Sequence, residues 1–248
     1  MVTGNGVTGN GATGSGPSRL ATVLRWPAGI AIVSWRYMWR TTPVHRSEEE
    51  GTAADLPEDR DADHGLGERG QGLAAGAGPM LHRTYAVRIA RSPMSPADLI
   101  EAVAANLNRV SPEMAVFRKT LGKDDALRQG DEFVVRMPGP WDGPVRVVRR
   151  DSTSFRLATL RGHLEAGQIE FRASRKVDGT LHFEIESWAR AGDRLSDLLY
   201  NRLRLAKEIQ FNMWSHFCVR TARLAGGRPR GGVTVRTRRL AWPPPEPA

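Results

Sequence analysis

Lysine is scarce in this chain: of 36 basic side chains only Lys119, Lys123, Lys176 and Lys207 are lysine, and the other 32 are arginine. With 27 acidic residues against them the formal net charge is +9 and the pI is near 10.6. A basic balance invites a nucleic-acid reading, because clustered Lys and Arg neutralise phosphates. The arginine bias, shared with Ala and Gly, is what a GC-rich coding sequence produces, and both signs mix along the strands identified below. Nucleic acid is therefore not an expected partner. Cysteine is all but absent: Cys218 alone excludes an internal disulfide, and no Cys/His cluster has the spacing of a metal site. No metal and no cofactor is expected, and a reducing cytoplasm is the simplest compartment. Long apolar runs are missing too. Arg25, Arg36 and Arg40 cut the most apolar amino-terminal segment far short of the roughly 20 residues that a membrane span needs. Spacings such as Gly4-Asn5-Gly6 follow no strand and make no dinucleotide fingerprint.

What is present falls into five parts. Residues 1–19 are mostly Gly, Thr, Asn, Val and Ser, with too little apolar surface to offset ordering entropy, and are read as a disordered arm without the features of a secretory signal. Residues 20–46 hold Trp26, Trp35 and Trp39 beside Arg36 and Arg40, an amphipathic helical segment that either docks on a protein surface or lies in lipid headgroups. The second alternative gives the protein a peripheral place at the membrane. Residues 47–70 then carry nine acids against Arg60 and Arg69, and 47–79 are read as an acidic flexible linker. Residues 226–248, with five arginines from Arg228 to Arg239 and the closing Pro-rich stretch, are read as a flexible basic tail.

The remaining part, 80–225, has the periodicity of a folded domain. The pattern from Arg83 to Ile89 sets Tyr85, Val87 and Ile89 on one face, with Arg83 and Arg88 placed among polar positions. Ser95 before Pro96 marks a helix start. Alternating strands follow around Phe133–Met137, Val145–Val147, Phe155–Thr159, Ile169–Ala173 and Leu181–Ile185, joined by short turns that include Asp178-Gly179. Short connections force antiparallel neighbours. The outward positions Glu132, Arg136, Arg146, Arg150, Arg156, Glu170, Arg172, Glu184 and Glu186 are read as a solvated face. A long helix closes the pattern from Asp193 to about Leu224, with Met213 and Phe217 on its apolar stripe. The expected fold is α+β of helix-grip type: a curved antiparallel sheet of about six to seven strands wrapped around a long C-terminal helix.

The stretch from Thr159 to Phe171, TLRGHLEAGQIEF, the opening FRKTLG at Phe117 and the R-x-G-D pattern from Arg128 to Asp131 resemble a family of unknown function. That family is classed near the START-like, SRPBCC helix-grip proteins. The resemblance covers about Leu81 to Leu224. Gln168 and Ile169 stand where the family pattern prefers acids. It implies the helix-grip fold and a ligand cavity, and it carries over no catalytic residue.

Within such a cavity the candidate ligand contacts are Trp141, His163, Glu165, Arg202, Gln210, Met213 and Phe217. Arg202 could instead pair with Glu184 or Glu186 at the sheet margin. His163 and Glu165 share one turn, where an imidazole beside a carboxylate could serve as a base and its orienting partner, as in a hydrolase or cyclase. The leading expectation is a non-enzymatic domain that holds a small hydrophobic or amphipathic ligand. A module tethered to a membrane or partner through Trp26, Trp35, Arg36, Trp39 and Arg40 is the alternative, and an enzyme using His163 and Glu165 the third.

Overall fold

The computed structural model describes residues 43–58, 66–113, 115–123, 126–137, 142–192 and 205–244, with residues 205–209 as backbone only. The expectations placed on Trp26, Trp35, Arg36, Trp39, Arg40, Trp141 and Arg202 lie outside these residues.

Among the described residues, one sheet of nine strands organises the molecule. The strands are β1 (Val44–Glu50), β2 (Ala77–Ala90), β3 (Val116–Leu121), β4 (Glu132–Arg136), β5 (Asp142–Arg150), β6 (Ser154–Thr159), β7 (Glu165–Arg175), β8 (Leu181–Ala191) and β9 (Arg228–Leu240), in the spatial order β1-β9-β2-β8-β7-β6-β5-β4-β3. From β3 to β8 each strand pairs antiparallel with its sequence neighbour, as short connections require. At the β7–β8 turn Gly179 takes a left-handed φ of 75°, and the Asp178 carboxylate accepts from Thr180 N at 3.1 Å.

Among the described residues, two α-helices cover one face. Helix α1 (Pro96–Ala105) begins in a capping box: Ser95 Oγ accepts from Asp98 N at 3.1 Å, and the Asp98 carboxylate accepts from Ser95 N at 3.1 Å. Helix α2 (Leu205–Leu224) lies against β2, β9 and β8, with α1 alongside. Period-2 alternation sends Tyr85, Val87, Phe155, Phe171, Phe183 and Ile185 to this concave face. There Phe171 stacks on Phe155 at 4.6 Å between centroids and meets Phe217 and Trp214 of α2 at 5.3 and 5.5 Å. Each such ring contributes about 1.5–3 kcal/mol by leaving water. A bent sheet gripping a C-terminal helix is thus the arrangement the alternation implied.

Strand number differs from expectation, nine against six or seven, because two segments read as flexible are strands. The basic stretch after α2 is β9, which inserts between β1 and β2 and buries Val233 and Val235 in the core. Strand β1 spans the end of the segment expected to be an amphipathic helix, Val44–Arg46, and the start of the acidic stretch; it is the parallel neighbour of β9, and its register sets Glu49 opposite Arg238 and Glu50 opposite Arg239. Like charges that repel within one segment are neutralised by the other, and the two lie at opposite ends of the chain.

The convex face is corrected as well. Residues 66–76 lie over it instead of leaving it to solvent: Gly70 bridges to Leu160, Arg69 holds Glu132 through two bonds of 3.0 Å, and Leu73 packs with Met80, Trp188 and Leu240. Glu132, Arg156 and Glu170, expected in water, are buried. Glu184 pairs with Arg172, and Glu186 bonds both Arg172 and His82, on this same face. Among the described residues no helix is long and apolar enough to cross a membrane.

Candidate functional site

The turn between β6 and β7 is the local structure from which the site is built. His163 N donates to Leu160 O at 3.1 Å, and Gly162 accommodates the reversal with a φ of 95°. Gln71, from the segment over the sheet, fixes this turn. Its Nε2 donates to His163 O at 2.7 Å and Glu165 O at 3.0 Å, its Oε1 accepts from Gly162 N at 3.1 Å, and its backbone bonds Thr159 and Gly167. One glutamine thereby satisfies three backbone groups of the turn that presents His163 and Glu165.

Both side chains face a cavity of about 60 Å³ between the concave face and α2. Its walls are mainly apolar, with Phe117, Val135, Leu157, Met213 and Trp214, and its polar residues are Thr159, His163, Glu165, Gln168, Ser187 and Gln210. Since liquid water takes about 30 Å³ per molecule, the space equals roughly two waters.

Glu165 N–H points at His163 Nδ1, 2.9 Å away, while Glu165 O already accepts from Gln71. Nδ1 therefore carries the lone pair and Nε2 the proton. Burial pushes the imidazole pKa down, against the opposing pull of Glu165, so the ring is neutral near pH 7. Nε2 sits beside Gly143 of β5, where an added Cβ would come within 3.0 Å of it. The Glu165 carboxylate turns away from the imidazole: its Oε2 accepts from Gln210 Nε2, and Gln210 Oε1 accepts from Arg83 at 2.8 Å. Tyr85 completes this polar chain under α2. Its hydroxyl is pushed up to about 12, first by burial and then by Glu165, with Arg83 opposing. The Cys218 thiol is also buried and its pKa raised, which makes it inert.

Among the described residues, neither His163 Nε2 nor Glu165 Oε1 has a hydrogen-bond partner. The cavity thus offers an open donor at His163 and an open acceptor at Glu165 within mainly apolar walls, with the Ser187 hydroxyl also in its lining. Two other clefts among the described residues are built differently. A cleft of about 220 Å³ beside α1 is lined by Lys119, which bonds Asp131 and two carbonyls, and by Asn108, which bonds both polar groups of Phe117. A surface groove of about 450 Å³ contains Arg190, already donating to Gly78 O and Leu73 O. No group of three or more metal-ligating side chains forms among the described residues.

Four of the sequence candidates meet at the cavity: His163, Glu165, Gln210 and Met213. The fifth described one, Phe217, is fully buried among Phe171, Phe183 and Trp214 and reaches no free space. His163 meets Glu165 through its backbone amide, not as an acid–base dyad. Arg83 and Gln71 were missed. Arg83 shares parity with Tyr85, Val87 and Ile89, so an arginine in the inward register was the available signal; Gln71 gave none, because its partners lie in a distant turn. The motifs carrying the resemblance at Phe117 and Arg128 form a structural knot. Lys119 holds Asp131 at 2.8 Å, and a side chain on Gly122 would strike the Asp131 carboxylate.

A family model described as "Domain of unknown function (DUF1990)" matches residues 78–223. The search of curated proteins found no match. Among solved structures, protein Ms6760 from Mycobacterium smegmatis aligns at 13% identity over 58% of this chain and 90% of that one, with a TM-score of 0.38. Ara h 8.0201 aligns at 12% identity over 58% and 97%, TM-score 0.40. Norcoclaurine synthase from Thalictrum flavum, in complex with dopamine and hydroxybenzaldehyde, aligns at 8% identity over 61% and 88%, TM-score 0.39.

Proposed function

Since the chain belongs to the DUF1990 family, whose description assigns no activity, we propose a function from its own geometry: it binds a small amphipathic ligand between the sheet and α2. The observation that carries this reading is the open pair, His163 Nε2–H and Glu165 Oε1, set in a mainly apolar cavity. Ligand sites combine apolar lining for affinity with a few polar groups for orientation. Most buried polar groups that serve only the fold are bonded within it.

Size sets how the ligand enters. An engineered cavity that takes benzene measures about 150 Å³, and this one is about 60 Å³. The free space fits the polar end of a ligand, and the apolar remainder displaces Met213, an unbranched side chain that repacks easily. Equilibrating the purified protein with a fluorescent hydrophobic probe and measuring binding in the parent and in Met213→Ala tests this reading. Tighter binding by the variant supports it; no binding by either protein overturns it.

A further inference from the structure

The two open atoms describe more than a polar spot. His163 Nε2 can only donate, because Nδ1 is committed to the Glu165 amide, and Glu165 Oε1 can only accept. They belong to residues two apart on the chain, and both residues line the same small space. Arg83 donates to Gln210 and is not part of the lining, while Glu165 lines the space directly.

Resting on the ligand-binding reading above, we propose that the buried end of the ligand is a neutral group carrying a donor and an acceptor together, with a primary carboxamide as the fullest match and a hydroxyl as the smallest, and that the site rejects carboxylates. A carboxamide oxygen accepts from His163 Nε2–H while its NH2 donates to Glu165 Oε1, so both open valences close at once. A carboxylate satisfies the imidazole but brings like charge against Glu165 in a place shielded from water, where Coulomb repulsion is strong. A ketone satisfies the imidazole and leaves Glu165 desolvated and unbonded, which is the costly half of a lost hydrogen bond. The lowered pKa of His163 supports the same assignment, since the ring brings no cation to hold an anion. A space of about 60 Å³ suits a head group of this kind and is well below the ~150 Å³ of a cavity that takes benzene.

Three probes with the same alkyl chain separate the possibilities: hexanamide, its isostere 2-heptanone, and hexanoate, titrated by calorimetry into the full chain at pH 7. Hexanamide is expected to bind about tenfold tighter than 2-heptanone, one hydrogen bond's worth, and hexanoate to bind weakest. In Glu165→Gln, which keeps an acceptor for Gln210 and removes the charge, hexanoate is expected to gain about tenfold relative to hexanamide. Equal binding of amide and ketone by the parent, or hexanoate as the tightest probe, overturns the head-group assignment and leaves the ligand reading standing. Binding of none of the three overturns both.

Discussion

The two faces of the sheet use polar residues in opposite ways. On the convex side charges close on one another: Glu132 between Arg69 and Arg146, Glu170 with Arg156 at 2.8 Å, His82 between Asp55 at 3.2 Å and Glu186 at 2.7 Å. The result is visible in the carboxyl of Glu132, where burial works to raise the pKa and the two guanidiniums prevail in lowering it. On the concave side polar groups are few and the chain from Arg83 through Gln210 to Glu165 stops at an open oxygen. Polarity alone therefore does not mark a site in this fold. An open acceptor on a side chain that lines free space does, at the cavity of His163 and Glu165.

The sharpest way to break that contrast is at the buried pair, whose side chains are 7% and 8% exposed. Glu170→Leu strands Arg156 and should cost about 3 kcal/mol in chemical denaturation, whereas Arg156→Leu with Glu170→Leu should fall within about 1 kcal/mol of the parent. Probe binding should persist in the double variant; its loss would show that the two faces are not separate in function. Next in size is Gln71→Ala, which leaves three backbone groups of the β6–β7 turn without their partner and should cost about 2–3 kcal/mol. Because that turn presents His163 and Glu165, this variant should weaken probe binding as well, as a titration would show.

Acid sharpens the comparison further. His163 has a folded pKa below its ordinary 6.5, so the unfolded chain takes up the proton first. Stability is unaffected above about pH 6.5 and declines as pH falls from there through the folded pKa. His163→Gln removes that decline, and thermal melts from pH 7 to 5 should show a parent losing up to about 1 kcal/mol more than the variant. The smallest effect belongs to the edge: Glu49 meets Arg238 at 3.9 Å in a largely exposed pair, and Glu49→Ala should change stability by less than about 0.5 kcal/mol.

Alternation made most of the sheet legible. Strands from Tyr85 to Ile185 read directly from apolar residues at every second position, and Ser95-Pro96 announced α1. Composition misled at the two charged flanks, since acids at 48–50 and arginines at 236–239 find their complement only across a parallel ladder that no local pattern announces. The site was half legible. A histidine and a glutamate in a glycine-bounded turn drew notice, but the relation between them is a backbone contact, and the glutamine that fixes it comes from a stretch whose composition suggested a linker. Arg83 was hidden by reading its charge ahead of its register.

Strand β9 enters between β1 and β2 only after every other described element has been synthesised. A ribosome delivers the chain from its amino terminus, so β1 emerges early and waits for a neighbour that arrives last. Until then three consecutive glutamates and the free margin of β2 stand open, and a chain cut short before Arg228 keeps them so. Translation through β9 is in this way tied to the closing of the sheet, and fragments that end before it present an unpaired border to chaperones and proteases.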